Sequence, residues 1–131
     1  MRPLPLAGSE LKVPGGDWVI AEWKAGPKTG PEPMLEAPPH IHHACDEAFY
    51  VLEGRLCFKV GDEVIEADAG SAVYIPKGTA HTYWNPEPVQ ARYLLVMTAK
   101  TAALIDAFHG LTDRSRPALE ALFRQYQAEL L

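Results

Sequence analysis

Cysteine is scarce in this sequence: Cys45 and Cys57 are the two thiols among 131 residues, too few for a disulfide scaffold. Long apolar runs are absent. No stretch approaches the roughly 18 residues of a membrane span, and the opening MRPLPLAGSELKVPGG lacks the apolar core of roughly 7–15 residues that a secretory signal needs. A soluble, cytoplasmic protein with reduced thiols is expected. Positive charge is also in deficit, because 12 Lys plus Arg face 17 Asp plus Glu for a net charge of -5. That is the wrong sign for a chain that binds phosphate backbones or anionic lipid. No internal repeat with a period of roughly 20–50 residues is present, which excludes a solenoid.

What the chain does have is apolar content, at 47% hydrophobic residues, enough for the single core that a length in the range of about 100–150 residues usually builds. Its 10 Gly and 12 Pro point to many turns between short elements. Residues 1–16 read as an extended arm. Asp17 to Trp23 is rich in aromatic and β-branched residues and reads as a first strand. Residues 26–39 hold five prolines and two glycines, a long loop of the kind that is often functional.

From Glu47 the segments EAFYVLEG, RLCFKVGDEVIEADAG, SAVYIPKG, HTYWNPEP and ARYLLVMT follow one another, at intervals of about ten residues. Short alternating strands at that spacing predict an all-β sandwich or barrel over 17–98. Beyond Thr98 the period becomes helical. Ala102, Leu104, Ile105 and Phe108 fit a short helix stopped by Gly110. Leu119, Leu122, Phe123, Tyr126 and Leu130 stripe a second one begun near Ser115-Arg116-Pro117. Residues 99–131 are therefore expected to be a helical tail packed on the barrel or on a partner subunit.

The chemistry concentrates in PHIHHACDE, residues 39–47. On a strand, i and i+2 project from one face, so His40 and His42 can converge on one point. A carboxylate, Glu47, follows five residues later and a third imidazole stands at His81. Such a donor set suits a first-row divalent metal, with iron, manganese, nickel, copper and zinc all open. A bare H-x-H does not decide this, since paired strand histidines also occur as packed core residues or exposed ones. His43 lies one residue off that face, and His109 near a helix end suits the macrodipole. Cys45 reads as a lone packed thiol.

The wider pattern is more specific. Residues 40–54 run H-x-H-x4-E-x6-G through His40, His42, Glu47 and Gly54, and residues 70–85 run G-x5-P-x-G-x2-H-x3-N through Gly70, Pro76, Gly78, His81 and Asn85. With every position filled and residues 55–69 between them, these segments resemble both motifs of the cupin superfamily. The resemblance implies a double-stranded β-helix, a jelly-roll barrel. It implies one divalent metal ion per chain held by His40, His42, Glu47 and His81, with Glu47 also the carboxylate that catalysis would use. Small cupins of this kind include dioxygenases, so a metal-dependent oxidoreductase acting on a small enolisable or aromatic compound is expected. Other members carry out redox-neutral isomerisation, cyclisation or decarboxylation, and a non-catalytic binding module is a third class; fold alone does not separate them. Phe49 and Val51 share the alternation of Glu47, and Tyr83 that of His81, so all three are expected to line the substrate pocket. A homodimer is expected too, with the arm and outward Tyr50, Leu52 and Trp84 covering sheet edges.

Overall fold

The computed structural model describes Leu6 and residues 8–131; the rest of the expected arm, residues 1–5 and 7, lies outside the described residues. Among the described residues ten strands and two helices follow in order. They are β1 (Glu10–Lys12), β2 (Trp18–Ala25), β3 (His40–His42), β4 (Glu47–Glu53), β5 (Arg55–Val60), β6 (Glu63–Asp68), β7 (Ala72–Ile75), β8 (His81–Trp84) and β9 (Ala91–Thr98), then α1 (Ala99–Gly110), α2 (Arg116–Gln125) and β10 (Ala128–Leu130). The strands form two five-stranded antiparallel sheets, ordered β1-β2-β9-β4-β7 and β10-β3-β8-β5-β6. From β2 to β10 successive strands alternate between the sheets, except for the β5–β6 hairpin, as in a jelly-roll sandwich.

Binary patterning drives the packing. Along β9, Ala91, Tyr93, Leu95 and Met97 are buried while the residues between them are not, the period-2 signature of a strand with one core face. Glu47, Phe49 and Val51 do the same on β4. Between the sheets Phe49, Phe58, Tyr83 and Tyr93 pack as an aromatic cluster, with Phe49 centred 4.9 Å from both Phe58 and Tyr83, within the favourable range for ring pairs. Cys57 breaks the simple alternation. It faces outward yet is buried, opposite Trp84 of β8.

The helical tail is shorter than its apolar stripe suggests. Thr98 and Ser115 cap α1 and α2, with side-chain oxygens accepting from the N–H groups of Thr101 and Ala118, and Pro117 sits in the first turn of α2 where its missing donor costs nothing. The second helix stops at Gln125, and Gln127 takes a left-handed φ of 56°. Ala128 to Leu130 then form a strand against β3, so Leu130 reaches the core from a strand and not from the predicted helix. An open sheet edge outweighs local helix propensity there.

Two motif glycines close turns with φ of 80° (Gly54) and 89° (Gly70). At Gly54 a Cβ would also meet the Ala91 Cα and the Gln90 carbonyl at 3.1 Å. Gly54→Ala should therefore cost about 2 kcal/mol, the left-handed penalty of roughly 1–2 kcal/mol plus crowding against backbone; a shifted urea midpoint with an unchanged slope would show it. Of the side chains expected at a dimer contact, Tyr50 is exposed, and Leu52 and Trp84 are half-buried.

Candidate metal centre

Local chain geometry aims four donors at one point. His40 and His42 lie on the inner face of β3, separated by the partly exposed Ile41. Strand β8 brings His81 directly opposite His40, and β4 begins at Glu47 on the facing sheet. Hydrogen bonds tie the two motif segments together. The Gly78 N–H donates to the His42 carbonyl at 2.7 Å. Asp46 accepts from the Lys77 N–H at 2.7 Å and from the Tyr74 hydroxyl, so the turn before His81 is stapled to the loop before Glu47. Asn85 donates to the Val89 and Gly26 carbonyls at 2.7 and 3.1 Å, which fixes the chain after β8 and gives that motif position a structural role.

The result is a buried cluster in which one ligand atom from each of His40, His42, Glu47 and His81 lies within 4.8 Å of the others. The His40 and His42 Nε2 atoms are 3.0 Å apart. Glu47 Oε1 lies 2.7 Å from His81 Nε2 and 3.5 Å from His42 Nε2. Donors bound in adjacent positions about 2.1 Å from a common ion lie about 3 Å apart, so the spacing fits a first-row divalent ion. Tautomers fit as well. A carbonyl only accepts, so the Nδ1–H groups of His40 and His81 donate to Pro38 (2.7 Å) and Thr79 (2.9 Å). That leaves Nε2 to face the cluster, the outer-shell arrangement that orients metal-binding imidazoles.

Electrostatics separate the four groups. Burial, then the nearby His81 and His42, lower His40 to about 4, and burial lowers His42. For Glu47, burial opposes ionisation, but the His81 hydrogen bond and the surrounding imidazoles hold its carboxyl below the ordinary range. Burial likewise opposes a charge on His81, yet the bond and charge of Glu47 raise it. Free of metal, the site thus stores a proton on the His81–Glu47 pair. Metal binding must expel it, since a ligating nitrogen is deprotonated. Because His81 is raised, affinity should fall as pH drops through the upper histidine range, by up to about tenfold per unit. His40 competes for protons only near 4. Zinc calorimetry at about pH 6 in buffers of different ionisation enthalpy should find about one proton released per ion.

A cavity of about 320 Å³ opens onto this cluster. Phe49 and Tyr83 line it. Val51 does not: it is wholly buried in the core, four residues and about 13 Å along β4 from Glu47, where packing between the sheets has closed the space. His43 points away and meets Glu129 at 3.2 Å on the surface. Cys45 accepts from the Thr98 hydroxyl at 3.1 Å, outside the cluster.

Other lining residues were not foreseen. Tyr93 and Leu95 come from β9, and Leu104, Ile105, Phe108, His109 and Phe123 come from the tail. The inward alternation of β9 could have revealed the first two. For the tail, the stripe was visible but its partner surface was not. Glu36, from the proline-rich loop, also lines the cavity, and burial raises its carboxyl above the ordinary range.

Comparison with known proteins agrees with this architecture. An uncharacterized protein of Streptomyces coelicolor is 44% identical over 41 residues, 31% of this chain and 39% of that protein. An oxidoreductase of Pestalotiopsis fici is 35% identical over 80 residues, 60% of this chain and 39% of that protein. The chain thus spans well under half the length of these curated relatives. Among solved structures, a cupin protein of Bacteroides fragilis superposes with a TM-score of 0.60 over 75% of this chain and 80% of that one, at 16% identity, a likeness of fold alone. The profile described as Cupin domain matches residues 31–97, the span that carries all four donors and both motifs, and the chain belongs to the cupin domain family.

Proposed function

We propose that the protein is a metal-dependent oxidoreductase of the dioxygenase type, acting on a small enolisable or aromatic anion. One observation carries this reading: a buried donor cluster of three imidazoles and one carboxylate opens directly onto a cavity whose other walls are mainly aromatic and aliphatic. The likeness to an oxidoreductase over 60% of the chain supports it.

A first-row ion bound by His40, His42, Glu47 and His81 would supply Lewis acidity and, where redox-active, one-electron chemistry. The chain's own contribution is electrostatic and steric. Glu47 is the single negative charge among the four donors, so a divalent ion is left with a net charge of +1, which favours an anionic oxygen donor at low dielectric. Phe49, Tyr83, Leu104 and Phe108 wall the cavity and exclude water from a planar substrate body. The Tyr83 and Tyr93 hydroxyls share one hydrogen bond at 2.7 Å, and burial holds both phenols above their ordinary range, so they present neutral groups and do not compete for the ion.

The test is oxygen uptake by protein loaded separately with Fe(II), Mn(II), Cu(II) and Zn(II), over a panel of catechols and 1,3-diketones. Uptake with a redox-active ion and none with zinc is expected. Turnover under argon with zinc would instead establish redox-neutral chemistry and overturn the oxidoreductase reading.

A further inference from the structure

The segment before β3 behaves as an extra, irregular strand beside β8. Leu35 forms an antiparallel bridge with Trp84. The Glu36 N–H donates to the Tyr83 carbonyl at 2.9 Å, and the Thr82 hydroxyl donates to the Ala37 carbonyl at 2.6 Å. This register sets Glu36 opposite Tyr83. Directly opposed residues project to the same face, so Glu36 lines the cavity beside Tyr83 while Leu35 is 46% exposed outside. Tyr83 lies two residues beyond His81, which puts Glu36 about 7 Å along the sheet from the imidazoles, the span of one aromatic ring.

The two tyrosine hydroxyls bond each other, and the one cause that moves the Glu36 carboxyl from its ordinary range is burial, with no hydrogen bond or charge among the described residues contributing. Glu36 as a residue is exposed, and with Glu47 it is one of the two carboxylates on the cavity wall, so it stands where a donor group remote from the metal-binding oxygen would meet a hydrogen-bond acceptor.

We infer that Glu36 accepts a hydrogen bond from a donor group, hydroxyl or amino, on the part of the substrate remote from its metal-binding oxygen. This rests on the metal-centred reading above and narrows it. The substrate class becomes small aromatic or enolic anions that carry a donor about one ring away from the anionic oxygen.

Zinc-loaded protein, which is redox-inert, allows a binding test without turnover. Benzoate, 4-hydroxybenzoate, 4-aminobenzoate and 4-methoxybenzoate are titrated calorimetrically into the wild type, Glu36→Leu and Glu36→Gln. At least one of the two donor-bearing probes should bind wild type tenfold or more tighter than benzoate, as expected for a hydrogen bond to a carboxylate. The methoxy probe, which cannot donate, should show no gain. In Glu36→Leu the advantage should vanish, with benzoate affinity and zinc stoichiometry unchanged. Glu36→Gln, which keeps the side-chain volume, should reduce the advantage at least threefold and guards against a leucine variant that misfolds. An advantage that is absent, or that survives in both variants, overturns the role of Glu36 and leaves the metal-centred reading intact. Benzoate binding that does not depend on zinc overturns both.

Discussion

His81→Ala is expected to lower metal affinity at least a hundredfold and to weaken the metal-free protein as well. The first effect follows from losing one of four donors in a cluster whose ligand atoms lie within 4.8 Å of one another. The second comes from Glu47. Its carboxylate is buried and accepts from His81 at 2.7 Å, and removing one partner of a buried charged pair typically costs about 3–5 kcal/mol because the other charge is stranded. A loss of that size corresponds to a melting temperature lower by roughly 10 °C or more for a domain of this length. Zinc titration against a chelator checks the first effect and metal-free thermal melts the second. Affinity within threefold of wild type would remove His81 from the donor set. A metal-free protein of unchanged stability would mean that Glu47 finds another partner.

Removing residues 128–131 should have a comparable effect from outside the site. Strand β3 carries two of the donors, yet on one side it is held to β8 by a single residue pair, His40 with His81. On the other side β10 pairs with all three of its residues, Ala128 with His42, Glu129 with Ile41 and Leu130 with His40. The Leu131 N–H adds a bond to the Pro39 carbonyl at 3.0 Å. Leu130 packs with Leu104 and Phe123, and losing a buried leucine costs about 2–5 kcal/mol by itself. Truncation after Gln127 should therefore cost at least about 3 kcal/mol and lower metal affinity tenfold or more. Leu130→Ala separates the two contributions: it keeps the backbone ladder, so stability should fall by about 2–3 kcal/mol while metal affinity stays within threefold. If the truncated protein binds zinc as tightly as the full chain, β3 does not depend on β10.

The strands and the shared face of His40 and His42 were legible in the sequence for local reasons, while the full donor set came from the resemblance of its two motifs. An i, i+2 pair on a strand shares a face, and the regular interval of turns marks a sandwich, so His40 with His42 and the segments from Glu47 to Thr98 could be placed without tertiary knowledge. Val51 shows where that logic stops. Alternation says which side of a sheet a residue faces, but not how far the space between the sheets stays open along the strand. Leu130 shows a different limit: its spacing fits the α2 stripe, and only the free edge of β3, made of residues far away in the chain, pulls it into a strand. Glu36 was hidden for a third reason, because prolines on both sides mask an extended segment that pairs with β8 through two backbone contacts instead of a regular ladder.

The pairing of β3 with β10 also bears on biosynthesis. His43 and Glu129, at the two ends of that contact, are 86 positions apart in sequence, and translation proceeds at roughly 5–20 residues per second. The strand with the first two imidazoles is therefore made roughly 4–17 s before the neighbour that covers its edge. During that interval its unpaired N–H and C=O groups and its chelating histidines are open to other nascent chains and to stray metal ions. Slow translation of the last third of the message should thus favour aggregation, and ribosome-associated chaperones have their greatest opportunity to act between the synthesis of His42 and that of Ala128.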